Sequence, residues 1–318
     1  MNFSSTIKNE IISKPIKERH CKKAFLAGII RGSGALYETD GRLGIEFSVT
    51  GEDTAMTVHR YFEQVFNYPI REVAVSEDRL NKKEKFTLSV SGVETEDILK
   101  DLGVLIDVED ETVVNLKLYD GHITEKECCL KSFIKGLFLS AGSCTMPHTT
   151  ESDKTGYHLE IVFSHSIPAM ETSTKLRAYG IESKVLRRKE SYITYIKSAE
   201  EIKNFIAFIN APVSVLKLTD LMVEREFVNN VNRRKNCDLG NLNRQVEATA
   251  KQIDAINHIK NRSGLESLKK DLKETAIARL ENPDDTLIEL AQKLNVTKSC
   301  LNHRLRKLVA VSEELKGR

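Results

Sequence analysis

The fold turns on one stretch, HCKKAFLAGIIRGSG, His20 to Gly34, because its surroundings return later as CCLKSFIKGLFLSAG, Cys128 to Gly142. The two align without gaps at an offset of 108 residues, pairing Cys21 with Cys129, Lys23 with Lys131, Phe25 with Phe133, Gly28 with Gly136 and Gly34 with Gly142. A period this long is a domain-sized duplication, far beyond the roughly 20–50 residues of a solenoid repeat. Apolar residues at three- and four-residue spacings predict a helix in each copy, with small residues four apart at Gly28 and Gly32 and at Gly136 and Ser140. Glycine costs about 1 kcal/mol against alanine inside a helix. Matched glycines therefore imply a compensating gain, and close approach of the two helices across a pseudo-twofold axis supplies it.

Outward from these helices the two halves read alike. In the first, LGIEFSV (43–49) alternates as a half-buried strand, 54–66 is an amphipathic helix ended by Asn67 and Pro69, 70–75 and 85–91 are strands around a charged hairpin, and 94–103 is a helix. In the second, 158–165, 168–179, 182–188, 191–197 and 199–209 give the same order. Each half is expected as αββαββα with one four-stranded antiparallel sheet, the two sheets flanking the central helix pair. The class is α+β, with a duplicated domain over 1–213 whose repeats cover about 20–110 and 128–211.

Strand signals stop after Pro212. One helix is expected over 215–234, a turn around Gly240, and a second helix over 242–260 closed by Gly264, so that 214–262 forms a helical linker. The remainder, 263–318, reads as an all-α helix-turn-helix module. A helix at 268–280 stops at Asn282-Pro283, Thr286 and Glu289 open a second helix as a capping box, and Thr297 caps a third whose inward side is Leu301, Leu305 and Leu308. At 100° per residue, Ser299, Asn302, His303 and Arg306 fall opposite the leucines. That face would enter the major groove of double-stranded DNA, with Asn302 and Arg306 reading base edges and Thr297, Lys298, Arg304 and Lys307 flanking it on the phosphates.

Charge agrees with a DNA partner. The chain of 318 residues carries a net +2, yet 214–318 holds 20 basic and 15 acidic residues, leaving 28 and 31 in the preceding part. The basic excess is thus confined to the C-terminal end, which favours an anionic partner. The basic, Asn-rich run that holds Arg233, Arg234, Lys235 and Arg244 is either a second DNA contact or a helix end whose cations favour the dipole. No apolar run approaches the roughly 18 residues of a membrane span, and the N-terminus has no apolar leader, so a cytoplasmic, nucleoid-associated protein is expected. Six cysteines, at 21, 128, 129, 144, 237 and 300, show no C-x-x-C spacing, and the histidines at 20, 148, 158 and 165 no ligand spacing. Both are expected as ordinary core or surface residues, with no metal or cofactor.

The duplicated helices resemble the LAGLIDADG motif of homing endonucleases, closely in the first copy and loosely in the second. With the C-terminal helix-turn-helix, and with the phrases NRRKNCDLGNLNR and SLKKDLKETAIARLENPDDTLIELAQKL, nearly the whole chain resembles the WhiA family of bacterial transcription regulators. The endonuclease motif needs an acidic residue at its eighth position in each helix to hold divalent metal. Here those places are Ser33 and Ala141, and the sixth positions are Arg31 and Leu139; neither Ser nor Ala can bind a hard cation as a carboxylate does. Glu38 and Asp40 follow the first helix, but the second copy has no acid before Glu151. The helix-turn-helix face and the missing carboxylates point to a non-catalytic, sequence-specific regulator, expected as a monomer in solution, and the resemblance implies a role in sporulation, or in cell division and chromosome segregation. The alternatives are a nucleoid-associated or protein-interaction factor whose duplicated domain binds a partner, and a residual metal-dependent endonuclease.

Overall fold

The computed structural model describes residues 3–78, 83–119, 121–147 and 156–316. The turn of the expected charged hairpin, at 79–82, lies outside them, as do residues 148 and 151. The chain divides into two compact units, 1–225 and 226–318.

In the first unit α1 (Phe3–Ser13) precedes the first repeat: α2 (Arg19–Ser33), β1 (Ala35–Thr39), β2 (Arg42–Thr50), α3 (Glu52–Phe66), β3 (Arg71–Asp78), β4 (Lys83–Ser91) and α4 (Thr95–Asp101). A connecting hairpin of β5 (Leu105–Val108) and β6 (Glu111–Val114), which the sequence did not suggest, and a single turn α5 (Gly121–Thr124) lead to the second repeat. That repeat is α6 (Glu127–Ala141), β7 (Gly142–Thr145), β8 (His158–Phe163), α7 (Ser166–Ala178), β9 (Lys184–Arg188), β10 (Ser191–Ile196) and α8 (Ala199–Phe208). Both halves follow the expected αββαββα order. Their sheets are antiparallel and identical in topology, β1-β2-β4-β3 and β7-β8-β10-β9.

Alternation decides which face of each sheet is covered. Along β2, Ile45, Phe47 and Val49 are buried while Glu46 and Ser48 between them are only partly covered; on β8 the buried set is Leu159, Ile161 and Phe163. These residues join Phe25, Ile29, Phe133 and Leu137 of the helix pair in one continuous core. At the seam a Cβ built on Gly28 would sit 2.0 Å from the Phe133 carbonyl oxygen, and one on Gly136 would sit 2.1 Å from that of Phe25. The cost of glycine in a helix is offset here by backbone contact that no other residue permits.

The expected turn at Gly240 is absent. A single helix, α9 (Pro212–Arg262), runs through it for 51 residues. Gly240 lowers helix propensity by about 1 kcal/mol, but the one proline of α9 is its first residue, Pro212, where no donor is needed, so the hydrogen-bond ladder continues past Gly240. The helix does end where Gly264 suggested, at φ +72°. At its start, Glu10 of α1 accepts hydrogen bonds from the Val213 N–H (2.9 Å), the Ser214 N–H (2.8 Å) and the Ser214 hydroxyl (2.7 Å), satisfying first-turn donors that a helix leaves open.

The second unit follows a 3₁₀ turn at Leu265–Ser267 with α10 (Lys270–Glu281), α11 (Leu287–Lys293) and α12 (Lys298–Lys316). Its core joins Leu272, Ala276, Leu290, Leu301, Leu305 and Leu308 to Ile256 and Ile259 from the end of α9. The last turns of the expected linker are therefore part of the helical module's interior.

Candidate nucleic-acid interface and the helix seam

The turn between α11 and α12 is built by local chemistry. Thr286 and Glu289 form the reciprocal capping box at the start of α11, Thr286 N–H donating to Glu289 Oε2 at 2.8 Å and Glu289 N–H to Thr286 Oγ1 at 3.3 Å. Asn295 takes a left-handed conformation, φ +51°, which turns the chain. Thr297 Oγ1 then accepts the Cys300 N–H at 3.2 Å and caps α12. The preceding corner is held from inside by Arg279, 1% exposed, which donates to the Asp285 carbonyl at 2.8 Å.

With α12 fixed in this way, Leu301, Leu305 and Leu308 are buried. Thr297, Lys298, Ser299, His303, Arg306 and Lys307 are exposed, whereas Asn302 is half-buried at the edge of the same face. Arg304 is placed differently. Its side chain is 19% exposed and its Nε lies 3.8 Å from Asp271 Oδ2 on α10, so it braces the module from the flank. Arg233, Arg234, Lys235 and Arg244 are all exposed on α9, and Arg233 and Arg244, eleven residues apart, share one face of it.

At the Ser33 and Ala141 end of the seam, hydrogen bonds tie both helices to their surroundings. Ser33 donates to the Ser48 carbonyl at 2.9 Å and accepts the Ser48 N–H at 3.2 Å, tying the helix end to β2. Arg31 donates to the carbonyls of Asn115 (2.5 Å) and Lys117. Across the pseudo-twofold, the Lys8 ammonium donates to the Leu139 carbonyl at 2.9 Å. The cleft beside α2 is lined by Arg31, Ser33, Ser164 and His165, with no carboxylate among its described lining residues.

Three segments match family models: 19–105 a WhiA N-terminal LAGLIDADG-like domain, 130–228 a WhiA LAGLIDADG-like domain, and 231–312 a WhiA C-terminal HTH domain. A probable cell division protein WhiA of Clostridium novyi is 33% identical over 99% of both chains. This chain belongs to the WhiA family. A similarly named protein of Lachnospira eligens is 34% identical over 99% of this chain and 98% of its own. Among solved structures, full-length DUF199/WhiA from Thermatoga maritima is similar at 27% identity, with a TM-score of 0.57 over 99% of each chain. Family membership establishes the LAGLIDADG-like fold and the helix-turn-helix domain, and no described helix is long and apolar enough to cross a membrane.

One constellation escaped the sequence reading. His20, Cys21, Cys128 and Cys129 converge, their ligand atoms all within 4.8 Å of one another. His20 Nδ1 lies 3.1 Å from Cys129 Sγ and 3.3 Å from Cys21 Sγ. Burial pushes the Cys21 thiol up, and that of Cys129 up to about 12. The signal was present in the 108-residue offset, which lays His20 over Cys128 and Cys21 over Cys129. Read as linear spacing, the cysteines look scattered; read as symmetry mates of a helix pair, they must meet.

Proposed function

We propose that this protein is a non-catalytic, sequence-specific DNA-binding transcription regulator, monomeric in solution and working at the nucleoid. The observation that carries the reading is the exposed face of α12: Ser299, His303, Arg306 and Lys307 point away from the buried leucines, with Asn302 at the edge and Thr297 and Lys298 at the entry. Arg306 has the geometry to read guanine and Asn302 adenine, while Lys298 and Lys307 suit phosphates. Arg233, Arg234, Lys235 and Arg244 supply a second phosphate contact. The working division is a duplicated domain over 1–213, a helix over 214–262 and a DNA-binding module over 263–318. Its relatives are named cell division proteins, and a role in cell division, chromosome segregation or sporulation follows for this chain by similarity.

A gel-shift titration tests it, on genomic fragments recovered by chromatin immunoprecipitation. Losing one good base-reading side chain costs about 1–3 kcal/mol, so Arg306→Ala with Asn302→Ala should weaken binding by roughly 100-fold or more. Unchanged affinity would remove that face from the interface. Absence of catalysis rests on Ser33 and Ala141 and on the Lys8 ammonium at the end of α6. Magnesium- or manganese-dependent cleavage of plasmid by pure protein would refute it.

A protein partner for the duplicated domain is the second reading. The part of the chain before Ser214 has 28 basic against 31 acidic residues. The basic strand β9 also splits: Lys184 and Arg188 share one face, and Arg187 lies on the other, 5.9 Å from the Tyr192 ring. Such a surface grips phosphates weakly.

A further inference from the structure

The four residues at the N-terminal end of the seam form a compact Cys₃His set drawn equally from both repeats. The N-caps of α2 and α6 are Glu18 and Lys126. His20 and Cys128 are therefore the second residues of their helices, and Cys21 and Cys129 the third. Two helices packed across a pseudo-twofold, each offering two ligands from its first turn, bring four soft donors to one point without any loop having to fold around it. Three thiols and one imidazole are the donor set of a tetrahedral structural zinc site. They are also a poor set for magnesium or calcium, which require oxygen.

We propose that this cluster binds one thiophilic divalent cation, of which zinc is the type, and that the ion staples the two repeats at the end of the seam opposite Ser33 and Ala141. The two ends are about 20 Å apart along the helices, at 1.5 Å per residue.

Two further observations point the same way. First, the electrostatics balance. Three thiolates, a neutral imidazole and a dication carry a net charge of −1, and two 15-residue helices direct their N-terminal dipoles at that point. Lys14, Lys17, Lys131 and Lys135 line the adjoining cleft with Cys21 and Cys128. Second, the site has an entrance. Cys21 and Cys129 are buried and fix the position, whereas His20 and Cys128 are exposed and open toward solvent. A thiol that coordinates a dication loses its proton outright.

The chemistry balances without an oxidant. Three S–H bonds break, three protons pass to solvent, and three sulfur–metal bonds and one nitrogen–metal bond form. With four protein ligands no coordination position is left for a substrate, so the ion is structural.

Cobalt(II) titration of the full-length, reduced protein is the test. Binding is expected to saturate at one equivalent per chain, with a sulfur-to-cobalt charge-transfer band and the intense red-region absorption of tetrahedral cobalt, and zinc should bleach both. Cys128→Ser and His20→Asn change exposed side chains, so both variants should fold; each should weaken the metal by about 100-fold or more, given the affinity of four-ligand zinc sites. Cys237→Ser, exposed on α9, should leave the titration unchanged. Zinc should raise the melting temperature of the unaltered chain and not that of Cys128→Ser. The proposal falls if the reduced protein shows no charge-transfer band, or if Cys128→Ser binds cobalt as the unaltered chain does. It falls equally if native mass spectrometry finds a metal-free disulfide linking Cys21 to Cys128 or Cys129.

Discussion

Gly28 and Gly136 each face the backbone of the other's helix: the α-hydrogen of Gly28 points at the Phe133 carbonyl, and that of Gly136 at the Phe25 carbonyl. The contact is reciprocal, as a pseudo-twofold demands, and it falls in the middle of both helices. A methyl group at either place would meet a carbonyl oxygen, and backbone on a packed helix cannot swing aside as a side chain can. Gly28→Ala or Gly136→Ala should therefore destabilise the duplicated domain by about 3 kcal/mol, the upper end of the usual cost of overpacking. Urea unfolding followed on that domain measures it, and a loss below about 1 kcal/mol would show that the helices separate freely.

The same substitution on α9 should act in the opposite direction. A Cβ at Gly240 meets nothing within 4 Å, so Gly240→Ala only restores helix propensity. A gain of up to about 1 kcal/mol is expected, read as a higher helical content on warming. A loss would mean that the helix bends at Gly240 in solution.

Glu10 makes stability depend on acid. Burial acts to raise its pKa, but hydrogen bonds from Ser214, Val213 and Lys14 outweigh burial and leave it below 4.5. A carboxylate with a depressed folded pKa stabilises above its unfolded pKa, and that contribution disappears as pH falls through the folded value. The start of α9 should therefore loosen on acidification below about pH 4.5. Glu10→Gln should remove the acid sensitivity and cost about 1–3 kcal/mol at neutral pH. Parallel melting curves from pH 3 to pH 7, roughly the window set by linkage, would expose a failure of this reading as two superimposable profiles.

Arg304 and Lys307 lie three residues apart on α12 and should separate cleanly. Lys307 is exposed, so Lys307→Ala should weaken DNA binding uniformly across sequences and lower the salt slope by about 1. Arg304 is turned toward Asp271, so Arg304→Ala should lower the melting temperature of the helical module while leaving the salt slope in place. Equal slopes for both variants would place Arg304 on the phosphates after all.

Much of this was legible in the sequence, and the reason is periodicity. Alternation at two residues marked β2 and β8, and recurrence at three and four marked the helices. Thr286, Glu289, Thr297 and Gly264 signalled helix ends through interactions only a few residues long. The Gly240 turn was misread because a glycine without a proline weakens a helix and does not interrupt it. The β5–β6 hairpin was missed because its four-residue strands are too short to show a period.

What the sequence by itself determined was therefore the duplication, the order of elements and the glycines of the seam. These depend on residue identity and on spacing along one chain. Only the tertiary structure decided that Ile256 and Ile259 belong to the helical module, that Arg304 braces while Arg306 is presented, and that Glu10 caps a helix starting about 200 residues later. It alone brought His20, Cys21, Cys128 and Cys129 to one point. Each is a relation between residues distant in the chain, and the seam creates the last of them: once Gly28 and Gly136 let the helices touch, their first turns must meet as well.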